Sequence, residues 1–142
     1  MKKITRSALL PYSATQIYNL VNDVNAYPAF LPWCGGARVV SQNGLEMIAE
    51  VTIAKAGIKQ TFRTRNHLVP PERIGMQLEQ GPFKALTGEW TFKALDVDAC
   101  KIFFEVEFEV NSLLGLALGP IFEHIASTMV DSFCERAKHV YG

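Results

Sequence analysis

Several things are scarce in this chain of 142 residues, and each scarcity closes off a class of function. Net charge is absent: fourteen basic side chains offset fourteen acidic ones, so the total gives no argument for a nucleic-acid binder, although a neutral sum can hide a local patch. Cysteines number three, Cys34, Cys100 and Cys134, far apart and in no CxxC or Cys/His ligand spacing. That pattern argues against zinc and disulfides and for reduced thiols buried as small hydrophobes, the usage of a cytosolic protein. No stretch approaches the roughly eighteen apolar residues of a membrane span. The start, Met1-Lys2-Lys3-Ile4-Thr5-Arg6, is basic but lacks the apolar run of a signal peptide, so the chain is expected to be soluble and cytoplasmic. Also missing are a Ser-His-Asp order, an HExxH pair, a glycine-rich phosphate loop and a nucleotide fingerprint.

What is present is a single domain, residues 1–142, long enough to bury roughly two-thirds of the surface its unfolded chain exposes. Lys2 to Leu10 reads as a strand that Pro11-Tyr12-Ser13 ends. Ser13 followed by Gln16 is a capping-box pattern, and Ile17, Leu20, Val21 and Val24 then recur at helical spacing to about Asn25. Next comes the most informative segment, Tyr27-Pro28-Ala29-Phe30-Leu31-Pro32-Trp33-Cys34. Three aromatic rings in so short a corner either plug a core or form the lip of an opening into one, because Phe30 and Trp33 alone carry a few hundred Å² of apolar surface.

After Gly35-Gly36 the alternation changes to period two. Ala37 to Gln42 is a strand, Asn43-Gly44 a hairpin signal, and Leu45, Met47, Ala49, Val51 and Ile53 form one face of the returning arm. From Ile58 to Val69, Phe62, Thr64, Asn66 and Leu68 share one parity, while Lys59, Thr61, Arg63, Arg65 and His67 share the other, so the inward face is unusually polar. Further strands follow at Arg73 to Gln80, Leu86 to Leu95 and Cys100 to Val110, with turns at Pro70-Pro71 and Gly81-Pro82. Gly119-Pro120 opens a long helix to Tyr141 whose stripe runs through Ile121, Phe122, Ile125, Met129, Phe133, Ala137 and Val140. A curved antiparallel sheet covered by one such helix leaves a space between the two unless bulky side chains fill it.

The corner segment and the helical run Met129-Val130-Asp131-Ser132-Phe133-Cys134-Glu135-Arg136-Ala137 resemble the coenzyme Q-binding START-type family, including its bacterial ribosome-association toxin relatives. The likeness covers essentially the whole chain. It implies an α+β helix-grip fold of the START/Bet v 1-like kind: two short helices after the first strand, and a curved antiparallel sheet of about seven strands gripping the terminal helix. It implies a non-catalytic binder of ubiquinone or a related polyprenyl lipid in respiratory quinone handling, or a toxin of a toxin-antitoxin pair that meets the large ribosomal subunit. A third alternative is a polyketide cyclase-like enzyme.

The residues expected at a ligand site are Tyr27, Phe30, Leu31, Pro32 and Trp33 from the corner; Met47, Met76 and Met129 as adaptable walls; and Phe62, Leu78, Trp90, Phe104, Phe108 and Phe122 as the rest of the apolar lining. Thr64 and Asn66 are polar groups in that wall, suited to a quinone carbonyl. No catalytic or metal-binding residue is assigned. His67 shares the outward parity, and Asp131 and Glu135, at i and i+4, read as a solvated helix surface. A cyclase would need an inward acid or base. Lys55, Lys59, Arg63 and Arg65 form a basic band opposite a Glu105, Glu107, Glu109 row, a dipole whose positive side would attract ribosomal RNA or the anionic surface of the inner membrane. The band has no interleaved aromatic rings for base stacking, and DNA is not expected as a partner.

Overall fold

A computed structural model describes residues 1–110 and 112–142. The elements run β1 (Lys2–Leu10), α1 (Ala14–Asn22), a 3₁₀ segment (Val24–Ala29), β2 (Cys34–Asn43), β3 (Glu46–Lys55), β4 (Ile58–Val69), β5 (Arg73–Gln80), β6 (Phe83–Asp96), β7 (Ala99–Val110) and α2 (Ser112–Tyr141). All neighbouring strands are antiparallel, in the order β1-β7-β6-β5-β4-β3-β2. The meander β2 to β7 therefore ends beside β1, and α2 lies along the inner face of the sheet. This is the expected helix grip.

Local chemistry explains most boundaries. Ser13 Oγ accepts from the Gln16 N–H at 3.1 Å and Gln16 Oε1 accepts from the Ser13 N–H at 2.9 Å, a complete capping box that starts α1. The β2–β3 hairpin turns on Gly44-Leu45, one residue later than Asn43-Gly44 suggests. Gly44 at φ +64° takes the first central position, as a type II′ turn requires, and Leu45 is left exposed in the turn instead of joining the inner face of β3. Ala56 (φ +53°) and Gly57 (φ +81°) turn β3 into β4 with both central residues left-handed, the type I′ pattern. Gly35 and Gly36, read as a release into the strand, already lie within β2.

The largest departure is at α2. Its first residue is Ser112, not Pro120, so Pro120 lies inside the helix and deprives the Leu116 carbonyl of its usual donor. Packing offsets that loss: a Cβ on Gly115 or Gly119 would stand 2.9 and 3.6 Å from Val110 Cγ2, so these two glycines, one turn apart, let the helix backbone lie close on the end of β7. Leu118 is fully buried there. At the other end Val140, placed on the apolar stripe by periodicity, is 46% exposed, and the C-terminus is held by Tyr141, whose hydroxyl donates to the Gln16 carbonyl at 2.8 Å.

Candidate functional site

Between α2 and the sheet lie two groups of rings. At one end Phe83 and Phe108 pack edge-on against Phe122 with centroids 4.9 and 4.7 Å away, and Phe62 joins Phe83 at 5.6 Å. Deeper in, Trp90 sits 4.5 Å from Phe104 and 5.4 Å from Phe133. A cavity of about 90 Å³ remains between the groups. The expected hollow exists, but it is smaller than the ~150 Å³ that admits a benzene ring. Its walls include Met76 and Met129, whose flexible chains allow it to widen.

Ten residues singled out from the sequence meet at this cavity: Tyr27, Trp33, Phe62, Thr64, Asn66, Met76, Trp90, Phe104, Phe122 and Met129. The other six do not. Leu31 and Met47 are buried core residues outside the lining, Pro32 is exposed, Phe108 packs edge-on behind Phe122, and Leu78 is partly buried beside Gly81. Phe30 lies outside the lining, packed on Phe133 at 5.3 Å, with the Arg136 guanidinium 4.8 Å over its ring at an outer groove shared with Asp131, Glu135 and His139. Residues not anticipated include Ala49, Val51, Ile53, Leu86, Gly88, Val106 and Ile125. Strand parity was the signal for most of them. For Gly88 it was the alternation with Trp90.

Polar groups in this apolar wall are few. The Thr64 hydroxyl donates to Asn66 Oδ1 at 2.8 Å, and both side chains are buried, at 8% and 5% exposure. That bond occupies the amide oxygen and leaves the Asn66 amide hydrogens free of any hydrogen bond to the described residues. The Trp33 indole N–H, on a residue 6% exposed, has no acceptor. A buried donor left unpaired costs about 1–3 kcal/mol. Tyr27 is the ionisable side chain in the lining; its hydroxyl donates to the Val21 carbonyl, and burial, with Asp23 nearby, holds its pKa far above the ordinary phenol value. Among the described residues no cluster of His, Cys, Asp or Glu is placed to hold a metal, and no helix is long and apolar enough to cross a membrane.

The basic band differs from expectation. Cross-strand register sets Glu50 directly opposite Arg63, and Arg63 Nη2 reaches Glu50 Oε2 at 2.9 Å while Arg38 Nε reaches Oε1 at 3.2 Å. Arg65 bridges Glu46 at 3.4 Å and Glu79 at 3.1 Å. Glu50 is held below the usual carboxylate range by these hydrogen bonds from Arg63 and Arg38. Arg63 and Arg65 are thus internally neutralised. Lys55 and Lys59, flanking the Ala56-Gly57 turn, form no ion pair with the described residues. The Glu row is partly offset as well, since Lys3 Nζ lies 2.7 Å from Glu105. His67 is exposed, and so are Asp131 and Glu135, as their positions suggested.

Residues 10–134 match the family described as polyketide cyclase/dehydrase and lipid transport. The chain is 51% identical over 140 residues to the ribosome association toxin RatA of Pseudomonas aeruginosa, spanning 98% of this chain and 97% of that one. It is 26% identical to the mitochondrial coenzyme Q-binding protein COQ10 of Drosophila melanogaster, covering 96% of this chain and 55% of the relative. In three dimensions it superposes on the Zhui aromatase/cyclase of Streptomyces with a TM-score of 0.83, across 96% of this chain and 93% of that one, at 16% identity. That last likeness establishes the shape alone.

Proposed function

This chain belongs to the polyketide cyclase/dehydrase and lipid transport family, and from that premise we propose that it is a non-catalytic ribosome-association protein, one that engages the large ribosomal subunit. The observation that carries this reading is the half-identity, along nearly the full length of both chains, to a relative named as a ribosome association toxin. The binder reading, as against a cyclase, is supported by the cavity wall. Its ionisable group is Tyr27, whose proton is locked by burial and by its bond to Val21, so no acid or base stands ready beside a bound carbonyl. The test is sedimentation of purified protein with isolated ribosomal subunits. The protein is expected to travel with the large subunit, more weakly as salt rises. Free protein at the top of the gradient at low salt overturns the reading.

A second reading concerns the cavity, which we propose takes a ring-sized apolar group carrying a hydrogen-bond acceptor, the quinone class included. The unpaired Trp33 N–H and the free Asn66 amide hydrogens favour it, and so does the resemblance to a coenzyme Q-binding protein. Entry of a ring requires Met76 and Met129 to swing aside, which flexible thioether chains do at low cost. Organic extraction of the purified protein, read by mass spectrometry, is expected to release a prenylated quinone or a lipid of similar character. An empty extract together with no saturable quinone uptake removes this reading.

A further inference from the structure

The leading end of α2 carries a feature that neither reading uses. Residues 110–122 contain no charged side chain, and two leucines in this run, Leu113 and Leu116, are 93% and 90% exposed. They are held out, not frayed away, because Leu118 in the same helix is fully buried and Gly115 and Gly119 lie close against Val110. Met1, 66% exposed, borders the same end of the sheet, where Lys2 pairs with Phe108 in register. Large apolar side chains presented this fully have no packing reason to be there.

Cations lie at the same end of the sheet. Phe83 is the register partner of Val110, which puts Lys84 at the same end of the sheet as the start of α2. Phe62 packs on Phe83 and Phe122 from β4, and the Lys55 to Lys59 turn lies at the near end of that strand. Lys55, Lys59 and Lys84 are exposed and form no ion pair with the described residues, unlike Arg63 and Arg65 further along the sheet. On the opposing side, Lys2 and Glu123 cancel at 3.2 Å, and Glu109 is an exposed carboxylate at this end. The balance there is positive.

We propose that this end docks on an anionic lipid bilayer, with Leu113 and Leu116 entering the acyl boundary while Lys55, Lys59 and Lys84 meet the phosphate headgroups. Protruding leucines and unpaired lysines at one end of the fold match a surface that is apolar within and anionic at its rim. RNA offers the lysines a partner but nothing to the leucines, and no aromatic ring is exposed here for base stacking. A second copy docked through the same face would bring like lysines together. Phe62 and Phe122, both in the cavity wall, belong to this end, so docking would turn the cavity toward the membrane.

The test is flotation of the purified full chain with phosphatidylcholine vesicles, with and without phosphatidylglycerol. Binding is expected to the mixed vesicles and to fall as salt is raised. Leu113→Glu with Leu116→Glu is expected to weaken it by about tenfold or more for each leucine. Lys55→Glu, Lys59→Glu and Lys84→Glu are each expected to weaken it about fivefold, and the three together to erase the preference for anionic lipid. Because both leucines are almost wholly exposed, the double variant should keep the parent circular dichroism and melting point; as a second probe, Leu113→Trp should shift its emission to the blue on mixed vesicles and be quenched by brominated acyl chains. No binding to either vesicle, or binding that the leucine variants leave unchanged, overturns the proposal. So does a Leu113→Glu/Leu116→Glu protein that still floats but no longer sediments with ribosomal subunits, or one that merely converts a dimer to a monomer.

Discussion

The Thr64 hydroxyl and the Asn66 amide oxygen, two residues apart on the inner face of β4, are bonded to each other at 2.8 Å in the wall of an otherwise apolar cavity. Each satisfies one need of the other, and the amide hydrogens remain for a guest. Asn66→Leu should strand the Thr64 hydroxyl and cost about 1–3 kcal/mol of stability. The double change Thr64→Val with Asn66→Leu should cost clearly less than the two single changes summed, because it removes both polar partners together. Urea denaturation of the four proteins measures this, and additive losses would show that the pair is not coupled.

Tyr27 gives the fold an alkaline limit. Burial raises its folded pKa far above the ordinary 10.0, while the unfolded phenol titrates normally. A raised folded value means that the contribution is complete below pH 10 and is lost as the pH climbs above it, since only the unfolded chain then releases the proton. Tyr27→Phe should therefore flatten the decline in melting temperature above pH 10, while lowering stability by about 1 kcal/mol at neutral pH through loss of the bond to Val21. An unchanged alkaline slope would count against this account.

Gly88 sets the size of the cavity. A Cβ at this position would lie 2.8 Å from Met76 Cε, the free end of a flexible chain, and 3.7 Å from Val106 Cγ2. Gly88→Ala should thus be tolerated within about 1 kcal/mol, with Met76 moving. The cavity would shrink, and uptake of any ring-sized guest should fall several-fold. Parallel thermal melts and quinone-binding titrations separate the two effects.

Ala56 is the non-glycine residue with positive φ among the described residues, at +53°. A left-handed alanine costs about 1–2 kcal/mol, against which glycine gives back part in chain entropy. Ala56→Gly should stabilise the protein by about 0.5–1 kcal/mol in equilibrium unfolding. A loss instead would mean that the turn is not under strain.

Much of this was written in local chemistry. The capping pair Ser13 and Gln16 fixed the start of α1, and the parity of Phe62, Thr64, Asn66 and Leu68 correctly placed two polar side chains on the inner face of β4. Parity tells which face a residue takes but not what stands at each level of that face. Met47 and Phe108 point inward as expected, yet they are core residues behind the lining, and Phe30 stays outside the lining because its ring packs 5.3 Å from Phe133 and under Arg136. Pro120 marked a plausible first turn of helix, but the fit of Gly115 and Gly119 on Val110 carried the helix further upstream.

The alternation of the strands, the stripe of α2 and the turn glycines are properties of neighbours in the chain, and from them the antiparallel meander and its inner face followed without coordinates, whereas the closure of β1 on β7 did not. Which charges remained free, how much space stayed open and where α2 began depended on residues distant in sequence. Glu50 meets Arg63 only through the β3–β4 register, and the cavity is small because rings from the 3₁₀ segment, β4, β6, β7 and α2 crowd its wall. Such contacts are set by packing, where a shift of an ångström decides the outcome and no local pattern records it.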